Sequence, residues 1–188
     1  MFSDIVDGNQ KYKYANELIA ELRRKTRDSQ RKLTVFAGGY PEVHIESRSQ
    51  DEDLMNLKRK VESGVDIILT QVVFSSEIFI SFVKKCRECG ISSHVPIIPG
   101  LYIPFSFKEL NLILKITKVS IDPEIYQNLE VLKDDTEEFQ KVSLNFMKKI
   151  IENIQENSSE YIRGFHFFTM NNFKMIQKLI EIVDFSEE

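Results

Sequence analysis

The stretch that most constrains this chain is Val65-Asp-Ile-Ile-Leu-Thr-Gln-Val-Val-Phe74, almost continuously apolar but for the interruption at Thr70-Gln71. A run with no in-out alternation predicts a strand buried on both faces, as in a parallel sheet. Parallel strands cannot be joined by tight turns. They need crossover connections, usually helices. The flanks supply them. Residues 52–63 place Leu54, Leu57 and Val61 at helical spacing, with Gly64 where a helix ends. On the far side Ser75-Ser76-Glu77 opens a helix with Ile78, Phe79, Phe82, Val83 and Cys86 on one stripe, closed by Gly90.

The pattern repeats along the chain. Residues 12–25 predict an amphipathic helix with its basic residues at the C-terminal end, where the helix dipole favours them. Residues 33–37 predict a strand ending at the pair Gly38-Gly39, followed by a polar loop to residue 50. Further strands are expected over 95–103 and 163–170, and helices over 106–116, 124–132, 136–155 and 173–183, with a turn or short strand at 119–123. Such βα alternation means an α/β fold, a parallel sheet with helices outside, either doubly wound or a (β/α)8 barrel. A whole barrel needs about 250 residues. With 188 residues and four clear strands, the chain is expected to be one partial barrel domain over 1–188, with a frayed lead-in at 1–11. Polar residues fall at or beyond the strand ends: Tyr40 and His44, Gln71, Tyr102, Thr169 and Asn171. In either fold that edge carries the ligand.

Net charge is −4, so nothing basic points to nucleic acid. No apolar run approaches the roughly 20 residues that span a membrane. Residues 1–7 carry acid where a signal peptide has positive charge, so a cytoplasmic setting is expected. Cys86 and Cys89 have CxxC spacing but close a helix rather than open one, and no second pair completes a zinc site, so no metal is expected. His166 alternates with Phe165 and Phe167 and reads as a core histidine.

Three features carry candidate chemistry. Glu42 and His44 are spaced for an acid/base pair, or are ordinary loop groups. Gln71, near the end of a buried strand, must use both halves of its amide. The residues alone leave open whether it binds loop backbone or a heterocycle edge. Asp53, Asn56 and Lys60 fall at i, i+3 and i+7, on one helical face. A nucleotide could lie along it, with carboxylate on ribose and ammonium on phosphate, or the face could simply be solvated. No GxGxxG, P-loop or GxSxG is present.

Taken together, Ala37-Gly-Gly-Tyr-Pro-Glu-Val-His44, Asp53-Leu-Met-Asn-Leu-Lys-Arg-Lys-Val61, Ile68-Leu-Thr-Gln-Val-Val-Phe74, Val95-Pro-Ile-Ile-Pro-Gly100 and Gly164-Phe-His-Phe-Phe-Thr-Met-Asn171 resemble, in order and spacing, methylenetetrahydrofolate reductases. The resemblance covers residues 11–183, and residues 119–135 look like the eukaryotic branch. It implies a TIM-type (β/α)8 barrel, here its C-terminal half to two-thirds, binding FAD at the strand ends. It implies NAD(P)H as co-substrate and reduction of 5,10-methylenetetrahydrofolate to 5-methyltetrahydrofolate, in one-carbon and methionine metabolism. By position Tyr40, His44, Asp53, Asn56, Arg59 and Lys60 match the family's flavin-binding residues, and Gln71 the glutamine that holds folate and nicotinamide. The family's general acid precedes this region, so no catalytic residue falls in the chain. The family's last-strand tyrosine is Phe168 here, and its folate-binding arginine is Asn172. The resemblance implies a fragment of a longer, homo-oligomeric enzyme. The alternatives are a non-catalytic remnant of the family and, apart from the resemblance, an unrelated barrel acting on phosphorylated ligands.

Overall fold

A computed structural model describes residues 11–27, 29, 33–44, 47–158 and 163–185. The lead-in before Lys11 and Lys32, the first residue of the strand-loop-helix stretch, lie outside these. Among the described residues the order is α1 (Ala15–Thr26), β1 (Phe36–Gly39), α2 (Gln50–Glu62), β2 (Ile67–Val72), α3 (Ser76–Glu88), β3 (Ile97–Tyr102), α4 (Phe107–Thr117), α5 (Pro123–Val131), α6 (Thr136–Ser158), β4 (His166–Phe168) and α7 (Lys174–Ile182). The four strands form one all-parallel sheet in the order β1-β2-β3-β4. Eight strands close a TIM barrel. This sheet holds four of them and is not closed, as the strand count led one to expect.

Helix starts follow a repeated local rule. Ser49, Ser75 and Ser106 each cap a helix, accepting from the backbone N–H of Glu52, Ile78 and Glu109. A cap of this kind satisfies a donor that no turn precedes. Asp122 does the same for α5, with Pro123 in the first turn. Residues 118–122 form no strand: Lys118 closes α4 with φ 59°, and the cap of α5 follows four residues later.

The core lies between the sheet and its helices. Phe79, Phe82 and Cys86 of α3 and Met147, Ile151 and Ile154 of α6 are fully or almost fully buried. A side chain of this size contributes about 1.5–3 kcal/mol on burial. One expectation fails here. β2 is buried on its helix-facing side (Ile68, Thr70, Val72), while Ile67, Leu69 and Gln71 on the other side are only half-buried. The inner face of a barrel is covered by the opposite wall, which four strands do not supply. For the same reason His166 is half-buried rather than a core residue, its ring set edge-on to Phe168 at 4.7 Å.

β1 begins later than its apolar residues suggest, and Gly38 and Gly39 lie inside it. The ladder pairs Phe36 with Ile67 and Gly39 with Thr70. Just before it, the Val35 N–H is taken by the Asp66 carboxylate, while Val35 O accepts from the amides of Asp66 and Ile67. Arg23 of α1 joins this knot, donating to Gly64 O and Leu33 O at 2.8 Å and ion-pairing with Asp66. Partial burial pushes the Asp66 carboxyl up, but the Val35 N–H and Arg23 more than offset it, and its pKa lies below the ordinary value. Glu77 is also held low, by its own amide and the Ser75 hydroxyl. A carboxylate depressed in the folded state stabilises above its unfolded pKa, and that stabilisation is lost as pH falls through the folded value. The urea midpoint should therefore hold down to about pH 5 and drop below it. The gap between wild type and Asp66→Asn should close as the acid limb is descended. A gap constant down to the lowest pH would show that the knot does not carry this stability.

Candidate functional site

The loop leaving β1 is built by a tight turn. Pro41 is buried, Val43 N–H bonds Tyr40 O at 3.2 Å, and Val43 sits at φ 75°. That conformation is an outlier for a β-branched residue. The turn brings the rings of Tyr40 and His44 to 4.4 Å, edge to face. Asp53, in the first turn of α2, secures the loop from the other side. Its Oδ2 accepts from His44 N at 3.1 Å and its Oδ1 from Ser47 Oγ at 3.2 Å. The carboxylate assigned to a ribose thus also shapes the loop. Each of its oxygens retains a lone pair.

Tyr40 lies over Gly38: a Cβ built on Gly38 would meet nothing nearer than the Tyr40 hydroxyl, at 3.6 Å, with the ring at 3.8 Å. Here the bare backbone of β1 forms part of a concavity of about 280 Å³, lined by residues 36–40, by Leu69, Thr70 and Gln71, and by Phe168. Gln71 Oε1 accepts from the N–H of Val72 at 3.0 Å, and the ladder between β2 and β3 is irregular at this point. The Gln71 oxygen thus bonds backbone, but that of its own strand rather than of a loop. Its Nε2 donates to no described residue. Asn56, Arg59 and Lys60 continue along α2 but do not line the concavity. Arg59 donates to Asn56 Oδ1 at 3.0 Å, and Lys60, half-buried, has no ion-pair partner among the described residues.

The structure thus joins Tyr40, His44 and Asp53 by direct contact, sets Gln71 across the concavity from Tyr40, and leaves Asn56, Arg59 and Lys60 as a separate strip of α2. Tyr102 drops out of the ligand edge: it is 2% exposed, and burial together with a hydrogen bond to Glu109 pushes its phenol up. Cys86 is equally withdrawn, burial driving its thiol up to about 12. The Glu42 carboxylate is occupied by Ser120, whose N–H lies 3.0 and 2.9 Å from its two oxygens. Three contributors were noticed in the sequence but not assigned to the site: Phe168 and Gly38 of the concavity wall, and Thr70, whose buried hydroxyl takes the Gly100 N–H at 2.9 Å. Only the polar break at Thr70-Gln71 signalled the last. Among the described residues no three of His, Cys, Asp and Glu are placed to hold a metal ion, and no helix is long and apolar enough to cross a membrane.

Comparison with known proteins places this geometry. The family model for methylenetetrahydrofolate reductase matches residues 3–184. The 5,10-methylenetetrahydrofolate reductase of Escherichia coli (strain K12) is 33% identical over 162 residues, which are 86% of this chain and 51% of that protein. Methylenetetrahydrofolate reductase 1 of Schizosaccharomyces pombe is 28% identical over 186 residues, 99% of this chain and 30% of the relative. The chain thus spans about half the length of the bacterial relative. A solved Clostridium thermocellum protein, described as binding two copies of 5-methyl-5,6,7,8-tetrahydrofolic acid, shares the fold, with TM-score 0.56 and 18% identity over 86% of this chain and 56% of that one.

Proposed function

Because this chain belongs to the methylenetetrahydrofolate reductase family, we propose that it is the flavin-holding part of an enzyme that reduces 5,10-methylenetetrahydrofolate to 5-methyltetrahydrofolate with NAD(P)H. The observation that carries this reading is one concavity lined by Gln71, Gly38 and Tyr40, with His44 packed on Tyr40 and Asp53 of α2 bonded to the His44 amide. These residues fit FAD. Lys60, without an acidic partner among the described residues, suits the pyrophosphate. Asp53 keeps lone pairs for a ribose hydroxyl, with Asn56 and Arg59 beside it. Tyr40 and His44, with the Gly38 backbone beneath Tyr40, offer a surface that a planar ring can approach.

Bound FAD would supply a two-electron carrier between nicotinamide and folate. The chain's own part is to bind and orient. The Gln71 Nε2, a donor with no partner among the described residues, suits the acceptor edge of a pterin or a nicotinamide amide. The C. thermocellum neighbour's 5-methyltetrahydrofolate agrees with a folate ligand. No residue here takes the general-acid role. In the cell we place the protein in the cytoplasm, in one-carbon and methionine metabolism, as part of a homo-oligomer. A second reading is a flavin-binding module without turnover of its own.

Titration with FAD, followed by flavin fluorescence and visible absorbance, tests the reading. Saturable binding is expected, weakened about tenfold in Lys60→Ala by loss of a charge-assisted bond. Gln71→Ala should keep FAD and lose affinity for folate. A folded sample that takes up no FAD would sink the proposal. Uptake without any NAD(P)H oxidation would favour the module.

A further inference from the structure

Between β3 and the crossover helix α6 the chain inserts α4 and α5, which brace one another. Tyr126 Oη donates to Asn111 Oδ1 at 2.8 Å, and the rings of Phe107 and Tyr126 lie 5.3 Å apart. Their connection carries Ser120, whose partner is 78 positions away. The Ser120 N–H donates to both oxygens of Glu42, at 3.0 and 2.9 Å, and its hydroxyl donates to Glu42 Oε2. Glu42 belongs to the loop after β1. β2 stands between β1 and β3, so the contact spans the C-terminal end of β2, where Gln71 sits.

A second observation concerns what lies beside Glu42. Val43 holds φ 75°, a conformation that β-branched residues rarely adopt and that persists only when neighbours enforce it. Its neighbours are pinned on both sides: Glu42 by Ser120, and the His44 N–H by Asp53. Asp53 belongs to the site already described. The Glu42–Ser120 contact touches no ligand position and has no role in it.

We propose that Glu42 and Ser120 form a latch, a positioning pair that uses the α4–α5 insertion to hold Val43 in its strained turn and so aims Tyr40 and His44 at the flavin. With the latch broken, Val43 relaxes and the two rings lose their mutual placement. The flavin part of this inference rests on the function proposed above; the loop part does not.

Two measurements separate them. In the flavin-free chain, hydrogen exchange of the His44 amide should speed up at least about fivefold in Glu42→Ala, since opening exposes a protected N–H. The melting midpoint should stay put, because the contact is exposed and buries no apolar surface of its own. In the FAD titration, Glu42→Ala should weaken binding roughly tenfold and Ser120→Ala less, because the Ser120 N–H remains. The double variant should be no worse than Glu42→Ala, as expected of two halves of one contact. Unchanged exchange at His44 in Glu42→Ala overturns the latch, and so do losses in FAD affinity that simply add. If the wild-type chain binds no FAD, the flavin reading fails, and the exchange measurement still decides the latch.

Discussion

A Gly100→Ala chain is expected to lose a large part of its stability, about 3–5 kcal/mol. Gly100 lies at the join of β2 and β3, where the ladder is irregular. Its N–H goes to the Thr70 hydroxyl, and its carbonyl accepts from Val73 at 2.8 Å. A Cβ there would lie 2.4 Å from Thr70 O, 2.6 Å from Phe168 Cε2 and 3.2 Å from Gln71 O. Two of these three are backbone atoms, so no rotamer change relieves the clash. β2 and β3 must separate, and both bonds lengthen with them. Overpacking a core typically costs about 1–3 kcal/mol, and two strained central hydrogen bonds add about 1 kcal/mol each. Against a total of about 5–15 kcal/mol, this is a large fraction, read as a clear drop in urea midpoint. Gly38→Ala is the control. Its Cβ meets only the Tyr40 side chain, so its urea midpoint should move by less than about 1 kcal/mol equivalent. If Gly100→Ala matched wild type in midpoint and far-ultraviolet signal, the account of this join would be wrong.

The same join shows what could be read in advance. Alternation of apolar runs with helical stripes is a local signal, and it yielded the order of elements along the chain. The serine caps and the i, i+3, i+7 face of α2 are local too. What escaped is set by partners far away in sequence. β1 starts at Phe36 because an aspartate 31 positions on takes the Val35 N–H. Asp53 reads as a free carboxylate until the loop folds back onto it, and Tyr102 reads as a strand-end polar group until Glu109 buries it. The expectation that β2 would be buried on both faces assumed a second wall. The count of four strands already implied that no such wall is present, but the apolar pattern of the run itself carried no sign of it.

Purified by itself, the chain is expected to associate rather than persist as a monomer. β1 and β4 are both edges of a parallel sheet, and each offers a row of backbone donors and acceptors for pairing. Apolar groups stand uncovered near them: Phe36 is 51% exposed on β1, and Met170 and Phe173 are 59% and 62% exposed just beyond β4. A two-fold pair of copies looks at first like a closed ring of eight parallel strands. The helices argue against it. Four strands carry a helix before the first and another after the last, α1 packing beside α2 and α7 beside α6. In a ring of two copies, α7 of one and α1 of the other would claim the same outer position. What closes the ring without conflict is a unit of four strands with three helices between them, so that eight strands share eight positions. Sedimentation velocity should therefore show a mass that climbs with concentration, and co-expression with such a four-strand, three-helix unit should give a one-to-one complex with a higher melting point. A concentration-independent monomer with a high melting point would show that the edges protect themselves, and a discrete, stable dimer would show that α1 or α7 moves aside to let two copies close.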